Sequence, residues 1–569
     1  MNVLGINCVF HESSAAVVVD GVVLAEVEEE RFNRVKHAKP ARVDNAHHLP
    51  AAAIAHCLRV AGLEAAAIDV IACSFDPGIR RKAFSNDPWG DPGGWGSEAG
   101  EKEFLRSLER IPAAVSELLA MDVTDRFRWV PHHMAHGAST YYSAGDDKAA
   151  VLVVDGIGEF ATAMLAGGYG KEIRLLEELH YPDSVGFVWE KLSSHLGFSE
   201  YDACKVMGLA AYGDATRYSG AFEELTGGDG PLRVRSDLFR FRLDDFAALE
   251  KLLGQRRGPQ DPLGQRHADV AAALQHWTDQ TILNLAGRLY DLHPASTLCY
   301  AGGVALNCST NWVLKEKGPF SRVHIPPAPH DGGTAAGAAL WSCQPSLPGA
   351  GPSETGATVY SGPAYTETEI TAAFAAAGLI PRRSTDIAAE VARRVADGQI
   401  VGWFQGAMEI GPRALGNRSL IADPRDPGMR ELLNRKVKHR EDFRPFAPSV
   451  LEERARDWFE LGRDSESYRY MLYACPARPE RAARIPAVLH VDGTSRIQTV
   501  SAAQNPLYHR MISCFEGITG VPMVLNTSFN DSEPIVCSPE DALATFAGTR
   551  IDAVAIGDHI AERHTAEEW

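Results

Sequence analysis

A pattern of three strands joined by turns occurs twice in this chain, and it restricts the fold more than any other feature. The first copy consists of three predicted strands: Val3–Asn7, Ser14–Asp20 and Val22–Glu28. Between the last two strands, Asp20-Gly21 predicts a tight hairpin turn. The second copy starts at Ala149, where Asp155-Gly156 and a glycine-rich segment predict the turns. The repetition predicts a duplicated architecture, although two common hairpins can also resemble each other by coincidence.

Two such halves facing each other across a cleft are the layout of the actin-like ATPase and sugar-kinase superfamily. Residues 184–295 have apolar residues at helical spacing, and two strand-to-glycine-turn-to-helix patterns follow. We therefore predict that residues 1–343 form a duplicated α/β domain of that type. Residues 344–358 are rich in Pro, Gly and Ser and predict a linker. Residues 359–569 alternate strands and helices and predict a second α/β domain.

Composition and charge exclude several classes of function. The 569 residues carry a formal net charge of −18, and no run of five or six Lys or Arg interrupts it. Such a surface repels phosphates, so neither a nucleic-acid nor an anionic membrane partner is expected. The ten cysteines are scattered without CxxC spacing, which predicts buried thiols. Since we find neither a signal peptide nor a long apolar span, we expect a cytoplasmic protein.

A candidate metal site comes from "VPHHMAHGAST". His132 and His136 are four residues apart, so in a helix both imidazoles lie on one face and can bind one metal ion. Asp155 and Asp331, each near the end of a predicted strand, add two carboxylates. A set of this kind suits Fe(II), Mn(II) or Zn(II). Helix capping or packing by the histidines is the alternative.

Two glycine-rich turns are candidates for binding a nucleotide. In "AGGVALN", Gly302 and Gly303 allow close backbone approach, and Asn307 can form a hydrogen bond. The segment "HDGGTAAG" then opens a helix with small residues at its N-terminus. A Gly-Gly turn alone is common. The prediction of a nucleotide-binding site therefore depends on the second glycine-rich segment, "HDGGTAAG", which follows it.

Cationic side chains are concentrated in the C-terminal half. They lie among Gly, Pro, Phe and apolar strands, together with the polar residues of "LNTSFN". The set comprises Arg413, Arg418, Lys438, Arg440, Arg444, Arg496, Asn526, Ser528 and Asn530. One guanidinium group can bind two phosphate oxygens in a bidentate manner. We therefore favour the interpretation that these residues form a triphosphate or acyl-phosphate site. A solvated surface with salt bridges is the alternative.

His11 follows the first predicted strand, in "CVFHESS". A histidine at the edge of a cleft is a candidate general base, because its usual pKa is close to neutral pH. An ordinary loop histidine is the alternative, and only the expected position at the cleft favours catalysis.

Four motifs resemble the NodU/CmcH carbamoyltransferases, a family that includes O-carbamoyltransferases of nodulation factors and antibiotics. The motifs are "MGLAAYG" (residues 207–213), "GPRALGNRS", "RPFAPSV" and "LNTSFN". The resemblance covers nearly the whole chain in the same order. It implies an N-terminal domain similar to the tRNA threonylcarbamoyl transferase and a C-terminal YrdC-like domain. The YrdC-type KxR and SxN signature matches Lys438/Arg440 and Ser528/Asn530.

The resemblance also implies a two-step reaction. The C-terminal site would convert carbamoyl phosphate and ATP, bound with Mg(II), into carbamoyl adenylate. The N-terminal site would transfer the carbamoyl group to an alcohol, with His11 as proton acceptor and Fe(II) held by His132, His136, Asp155 and Asp331. The residues implied in binding the adenylate there are Lys205, Gly302, Gly303 and Asn307.

The acceptor is the least determined part of this prediction. "NCVFH" is shorter than the corresponding loop of the tobramycin enzyme and has Val9 before Phe10, which argues against a polycationic acceptor. An antibiotic, glycoside or polyketide alcohol is expected instead, and residues 87–97 are either part of its pocket or a surface loop. Threonylcarbamoylation of tRNA, hydrogenase maturation and a regulatory nucleotide-binding role are the alternatives. A homodimer is a reasonable expectation.

Overall fold

The computed structural model describes residues 1–84, 87–227, 230–343, 359–462 and 468–563 of the chain. These divide into two compact units. The first contains residues 1–33 and the described part of 37–357, and the second contains residues 34–36 and the described part of 358–569. The predicted linker, residues 344–358, lies outside the described residues.

The first unit contains two five-stranded sheets with the same topology. The first sheet is built from β1 (Asn2–Asn7), β2 (Ser14–Val19), β3 (Val22–Glu28), β4 (Val70–Cys73) and β5 (Phe127–Trp129). The second is built from β6 (Lys148–Val154), β7 (Ala161–Tyr169), β8 (Glu172–His180), β9 (Thr297–Ala301) and β10 (Arg322–His324). The strand orders are β3-β2-β1-β4-β5 and β8-β7-β6-β9-β10, each with three antiparallel strands followed by two parallel ones. The predicted duplication of an α/β unit is confirmed.

Fourteen helices are described in the first unit. They are α1 (Glu30–Asn33), α2 (Ala51–Ala61), α3 (Pro77–Ala83), α4 (Glu98–Glu109), α5 (Ile111–Leu119), α6 (His132–Ala144), α7 (Val185–His195), α8 (Ala203–Ala210), α9 (Ser219–Thr226), α10 (Ser236–Phe239), α11 (Ala247–Leu253), α12 (Gln265–Leu292), α13 (Cys308–Lys317) and α14 (Thr334–Ser342). The helices of residues 184–295 agree with the periodicity of the sequence. No helix among the described residues is long and apolar enough to cross a membrane.

Helices α6 and α14 bring the two halves together through small residues. A Cβ on Gly337 of α14 would lie 1.8 Å from the carbonyl oxygen of Ala135 in α6. A Cβ on Gly5 of β1 would lie 1.9 Å from the carbonyl oxygen of Ala335. Only glycine permits these two contacts, because any side chain would collide with backbone. His132 is the first residue of α6, and Asp331 lies just before the start of α14. The packing of the two helices therefore sets the positions of both residues.

The two predicted Asp-Gly turns differ in the structure. Asp20 and Gly21 both have positive φ angles, 49° and 85°, and form the predicted tight hairpin between β2 and β3. Asp155 and Gly156 instead open a longer loop, because β6 ends at Val154 and β7 begins only at Ala161. A turn was predicted there, and the connection between the two strands is longer than in the first hairpin. The carboxylate of Asp155 accepts a hydrogen bond from the N–H of Gly303, which lies far away in the sequence, and does not close a hairpin.

The second unit is a mixed α/β structure. Its strands are β11 (Arg382–Arg383), β12 (Val401–Phe404), β13 (Arg418–Ala422), β14 (Ala447–Leu451), β15 (Ala474–Pro476), β16 (Thr494–Arg496), β17 (Gln498–Val500), β18 (Met523–Ser528), β19 (Ala553–Ile556) and β20 (His559–Glu562). Its helices are α15 (Glu367–Ala376), α16 (Ile387–Ala396), α17 (Met429–Lys436), α18 (Pro479–Ala482), α19 (Pro506–Thr519) and α20 (Pro539–Gly548). Eight strands form one sheet in the order β11-β20-β19-β12-β13-β18-β14-β17, and β15 pairs with β16. The prediction that this second domain belongs to the α/β class is confirmed.

Candidate functional site

Four buried side chains converge at the N-terminus of α6. One possible ligand atom from each of His132, His136, Asp155 and Asp331 lies within 4.8 Å of all the others. The Nε2 atoms of the two histidines are 3.2 Å apart, and each lies 3.3–3.5 Å from an oxygen of both carboxylates. The sequence placed both histidines on one helical face, and the fold supplies the two aspartates from distant loops.

These distances fit a bound divalent ion. Metal–ligand bonds of about 2.0–2.1 Å arranged tetrahedrally separate neighbouring ligand atoms by about 3.4 Å. Five of the six separations, 3.2–3.5 Å, match that value, and the sixth, between the two carboxylates, is no more than 4.8 Å. All four residues are at least nine-tenths buried, so little water reaches the ligand atoms. The binding of a metal there remains a prediction that the geometry supports.

The tautomer of His132 suits metal binding. Its Nδ1 lies 3.1 Å from the carbonyl oxygen of Ser74, an atom that can only accept a hydrogen bond. Nδ1 therefore carries a proton in either charge state, and Nε2, which faces the two carboxylates, is the nitrogen that would lose its proton to bind a metal ion. A backbone partner of this kind is the usual way in which a protein orients a metal-binding imidazole.

The electrostatics of the four residues favour two positive charges between the carboxylates. Burial disfavours the charged form of His132, but Asp331 and Asp155 outweigh it and raise the pKa of His132 well above its usual value. The pKa of His136 is raised by the same two carboxylates against the effect of burial. Burial would raise the pKa of Asp155, yet both histidines hold it well below its usual value. One divalent ion can replace the two protons without changing the net charge of the site.

The Gly-Gly turn of "AGGVALN" supports Asp155. Gly302 has a φ of 96°, and a Cβ there would lie 2.2 Å from the carbonyl oxygen of Val154. This close approach lets the N–H of Gly303 donate a hydrogen bond of 2.8 Å to Oδ1 of Asp155. Gly302 and Gly303 therefore position a candidate metal ligand. The adenylate-binding role that the resemblance implies for them remains a prediction.

Asn307 and Lys205, the other residues implied in adenylate binding, form contacts within the protein. Oδ1 of Asn307 caps α13 by accepting from the N–H of Thr310, and its amide bonds with Gln275. Nζ of Lys205 lies 3.2 Å from Asp202 in the preceding turn. A nucleotide would have to share or replace these contacts.

Sequence reasoning missed Glu159, which holds the N-terminus of α6. Its Oε1 accepts hydrogen bonds from the backbone N–H groups of His132, at 2.9 Å, and Asp76, at 2.7 Å. The carbonyl oxygen of Glu159 accepts from Arg80, whose guanidinium also forms a buried bidentate pair with Glu101. No sequence signal marks this residue, because its partners come from separate segments.

Replacing Glu159 should weaken metal binding even though Glu159 is not itself a ligand. In Glu159→Ala the N–H groups of His132 and Asp76 lose their acceptor, which frees the first turn of α6. We expect divalent-metal affinity, measured by competition with a chelator, to fall about 10–100-fold. Glu159→Gln keeps an acceptor oxygen and should recover most of the affinity. Equal affinity in the Ala variant and the unmodified protein would show that Glu159 does not position His132.

His11 lies beside the same four residues. Nδ2 of the buried Asn7 lies 3.3 Å from the carbonyl oxygen of His11 and 3.3 Å from that of Asp331, which ties the two segments together. Nδ1 of His11 is buried and has no hydrogen-bond partner among the described residues. Its ring packs edge-on against Tyr201 at 5.4 Å. An imidazole without an internal partner is free to take a proton from a bound substrate.

The residue after His11 is strongly acidic. Burial would raise the pKa of Glu12, but its hydrogen bond with His37 and the charges of His330, His37 and His11 lower it to about 2. Glu12 is therefore a carboxylate at neutral pH. Neither Glu12 nor His37 lies in a recognisable motif, so the sequence alone does not indicate their role.

The second unit groups Lys438 with Ser528 and Asn530. Nζ of Lys438 is surrounded by the carbonyl and hydroxyl oxygens of Ser528, at 2.5 and 3.1 Å, and the carbonyl and amide oxygens of Asn530, at 2.8 and 2.7 Å. Burial, followed by the charges of Arg440 and Arg444, holds the pKa of Lys438 well below its usual value. A buried lysine whose pKa is lowered by two neighbouring arginines indicates a site that an anion would stabilise.

The remaining cations and amides of the set have different environments. Arg440 bonds to Asn434 and lies 4.4 Å from the ring of Phe446. Glu441 lies 3.7 Å from Arg444. Nε of Arg496 is buried without an acceptor among the described residues. Arg413 is half-buried. Their phosphate-binding roles remain predictions.

Asn526 and Arg418 are fully buried and bond to the protein interior. The amide of Asn526 donates to Ala414, Ser449 and Gln498, which supports the loop of "GPRALGN". The guanidinium of Arg418 donates only to backbone carbonyl oxygens among the described residues and lies 3.6 Å from the ring of Phe404. Arg418 therefore has a structural role, whereas Oδ1 of Asn526 is buried without a hydrogen-bond partner among the described residues.

Comparison with known proteins identifies the class of enzyme. The family model "Carbamoyltransferase N-terminus" matches residues 2–340, and "Carbamoyltransferase C-terminus" matches residues 392–563. The chain therefore belongs to the carbamoyltransferase family and is a transferase of carbamoyl groups.

Named relatives place the chain near the nodulation proteins within that family. It is 36% identical to nodulation protein NolNO of Sinorhizobium fredii, over 99% of this chain and 81% of that protein. It is 29% identical to nodulation protein U of the same species, over 93% and 94% of the two chains. The resemblance to the NodU group is thus confirmed. The solved structure of T. kodakarensis HypF is 15% identical, covers 61% of this chain and 48% of that chain, and has a TM-score of 0.33, too low to support a further conclusion.

Proposed function

We propose that this carbamoyltransferase uses ATP and carbamoyl phosphate to make carbamoyl adenylate and then transfers the carbamoyl group to an alcohol. The observation that carries the proposal is that each family model matches a region with its own polar cluster, the His/Asp set in the first and the Lys438 cluster in the second. Two clusters of different chemistry support two successive steps.

The Lys438 cluster suits the first step. Carbamoyl phosphate, ATP and water give carbamoyl adenylate, pyrophosphate and phosphate. All of these carry negatively charged phosphate groups except water, so the site must bind anions at every stage. Lys438, Arg440 and Arg444 supply cations in a partly buried setting, where attraction to phosphate oxygens is strong. Arg413, Arg496, Asn526, Ser528 and Asn530 are the other residues that we assign to binding ATP or the carbamoyl donor.

The His/Asp set suits the second step. A divalent ion, Fe(II) by resemblance, would be held by His132, His136, Asp155 and Asp331 and would stabilise charge on the adenylate. His11 would take the proton of the attacking hydroxyl. The hydroxyl oxygen would bond to the carbamoyl carbon, and AMP would leave. A buried setting limits loss of the activated group to water.

The acceptor that we propose is a hydroxyl of a secondary metabolite, such as an antibiotic, glycoside or polyketide. The net charge of −18 opposes tRNA as a partner. The experiment is incubation with ATP, carbamoyl phosphate, Mg(II), Fe(II) and a panel of alcohols, followed by mass spectrometry. We expect a product heavier by one carbamoyl group and formed only when all components are present. Transfer that proceeds equally well without ATP would exclude the proposed route.

Removing one imidazole should empty the proposed metal site. In His136→Ala the remaining three side chains leave a gap in the ligand set, and we expect metal content after dialysis to fall at least about tenfold. His133→Asn is the matched control, since His133 is buried beside the set but burial and His132 keep its pKa at about 3. Elemental analysis of both variants gives the answer. Full metal occupancy in His136→Ala would remove that residue from the ligand set.

A further inference from the structure

The candidate base lies in a turn with an uncommon backbone conformation. Phe10 and Glu12, on either side of His11, have positive φ angles of 59° and 53°. Residues with side chains seldom take this conformation, and it persists only where the surrounding contacts hold it. His37 and Ala38, with φ angles of 62° and 65°, form a second segment of the same kind. The two segments meet, because the N–H of Glu12 donates a hydrogen bond of 2.9 Å to the carbonyl oxygen of His37.

Buried side chains hold the main chain of this turn from one side. Nζ of the buried Lys39 donates a hydrogen bond to the carbonyl oxygen of Cys8. Nδ2 of the buried Asn7 lies 3.3 Å from the carbonyl oxygen of His11 and 3.0 Å from that of Glu12. The turn therefore begins at a fixed place, and the contacts of Glu12 hold its other end.

The side chain of Glu12 joins the turn to His37 a second time. Its Oε1 accepts a hydrogen bond from Nδ1 of His37. Its Oε2 lies 3.8 Å from Nε2 of His330, the residue before Asp331. A carboxylate can only accept, so Nδ1 of His37 carries a proton in either charge state of the ring. The side chain of Glu12 is only 12% exposed, so little water competes for this hydrogen bond.

The ring of His37 also belongs to the surroundings of His11. The centre of the Tyr201 ring lies 5.0 Å from that of His37 and 5.4 Å from that of His11. The centres of the two imidazole rings are 6.2 Å apart. His37 thus bonds to the residue after the candidate base and contacts the ring against which that base packs.

We propose that Glu12 and His37 are positioning residues for carbamoyl transfer, and that their hydrogen bond holds the turn in which His11 meets the acceptor hydroxyl. The inference rests on the proposed function, because it takes His11 as the base of the second step. Neither residue has to touch the substrate. A displacement of about 1 Å can cost about a hundredfold in rate, so loss of this hydrogen bond should slow transfer. The first step, assigned to the second unit, should not change.

Two substitutions of Glu12 differ in the hydrogen-bond acceptor that they leave. Glu12→Met keeps the length of the side chain but is at most a weak acceptor, whereas Glu12→Gln keeps an acceptor oxygen. We expect kcat of carbamoyl transfer to fall about 10–100-fold in Glu12→Met, with KM for the alcohol nearly unchanged. Most of the rate should return in Glu12→Gln. Mass spectrometry gives the rates, with the alcohol that reacts fastest in the panel as acceptor.

Two substitutions of His37 separate the hydrogen bond from the ring. His37→Asn places an amide N–H near the position of Nδ1 and suits a positive φ, whereas His37→Phe keeps a ring beside Tyr201 without a donor. We expect transfer to be faster in His37→Asn than in His37→Phe. The opposite order in the folded variants would show that the ring matters and the hydrogen bond does not, which would overturn the assignment.

A double-mutant cycle with His11 distinguishes positioning from general support of the fold. Glu12→Met is combined with His11→Asn, and the rates of transfer and of carbamoyl-phosphate-dependent exchange of pyrophosphate into ATP are measured in all four proteins. If Glu12 acts through His11, Glu12→Met should cost nothing further once the imidazole is gone. A loss of transfer by the same factor in both backgrounds, or an equal fall in exchange, would refute the positioning role.

Glu178→Met is the matched control. Glu178 is exposed, and its Oε2 lies 3.5 Å from Nε2 of His180, so this substitution also removes a carboxylate beside a histidine in the first unit. It should alter neither rate. Cooperative thermal unfolding at the temperature of the unmodified protein shows that each variant is folded.

The four proteins of the cycle also separate this inference from the function on which it rests. Normal transfer in folded Glu12→Met, together with slow transfer in His11→Asn, would overturn the positioning role and leave the proposed function intact. Normal transfer in His11→Asn would remove the base from the proposed function, and the positioning role with it.

Discussion

Lys438→Ala should lose carbamoyl-phosphate-dependent exchange of pyrophosphate into ATP, with a fall of about a hundredfold or more. Lys438 contributes a buried amino group beside Arg440 and Arg444, and a bound phosphate would favour its charged form. Its Nζ also contacts four oxygens of Ser528 and Asn530. The substitution therefore removes positive charge and releases the neighbouring loop. Radiolabelled pyrophosphate incorporated into ATP gives the rate.

The matched control is Lys436→Ala, an exposed lysine at the end of the preceding helix. It should exchange at the rate of the unmodified protein, since an exposed lysine contributes little to a buried site. Lys438→Met keeps the length of the side chain and separates loss of charge from loss of packing. Exchange at the normal rate in folded Lys438→Met would contradict a role for the ammonium group.

His11→Asn should separate the two halves of the reaction. Exchange should persist, because the Lys438 cluster is untouched, whereas carbamoyl transfer to an alcohol should fall about 10²–10⁴-fold without a general base. His11 suits this role because its Nδ1 has no hydrogen-bond partner in the described structure and Asn7 links its backbone to Asp331. The two rates are measured on one preparation.

His276→Asn, at an exposed position on α12, is the control for His11 and should alter neither rate. If His11→Asn lowers exchange and transfer by the same factor, His11 acts on folding or on the first step, and its assignment as a base is refuted. A selective loss of transfer supports it.

Local patterns were sufficient to predict most of the fold. The Asp20-Gly21 turn follows from short-range backbone preferences, and the repeated three-strand unit predicts the two sheets of equal topology. His132 and His136 could be placed on one face of a helix because their spacing is local. The concentration of cations and polar residues in the C-terminal half singled out Lys438, Ser528 and Asn530, and the family resemblance matched them to one signature. The structure brings the three together.

Contacts between distant segments could not be predicted. Glu159 positions α6 through backbone groups of two other segments, and no pattern in its own neighbourhood indicates this. Asp155-Gly156 was predicted to form a turn between two strands, but the length of that loop and the hydrogen bond from Gly303 to the carboxylate of Asp155 could not be predicted.

The most direct measurement follows the AMP moiety of ATP. The protein is mixed with carbamoyl phosphate, Mg(II) and ATP labelled at the α-phosphate, without any alcohol, and is quenched after one turnover. Chromatography with mass spectrometry should reveal labelled carbamoyl adenylate, the mixed anhydride of carbamic acid and AMP, together with pyrophosphate and phosphate. Consumption of carbamoyl phosphate while all the label stays in ATP or ADP would contradict an adenylate intermediate.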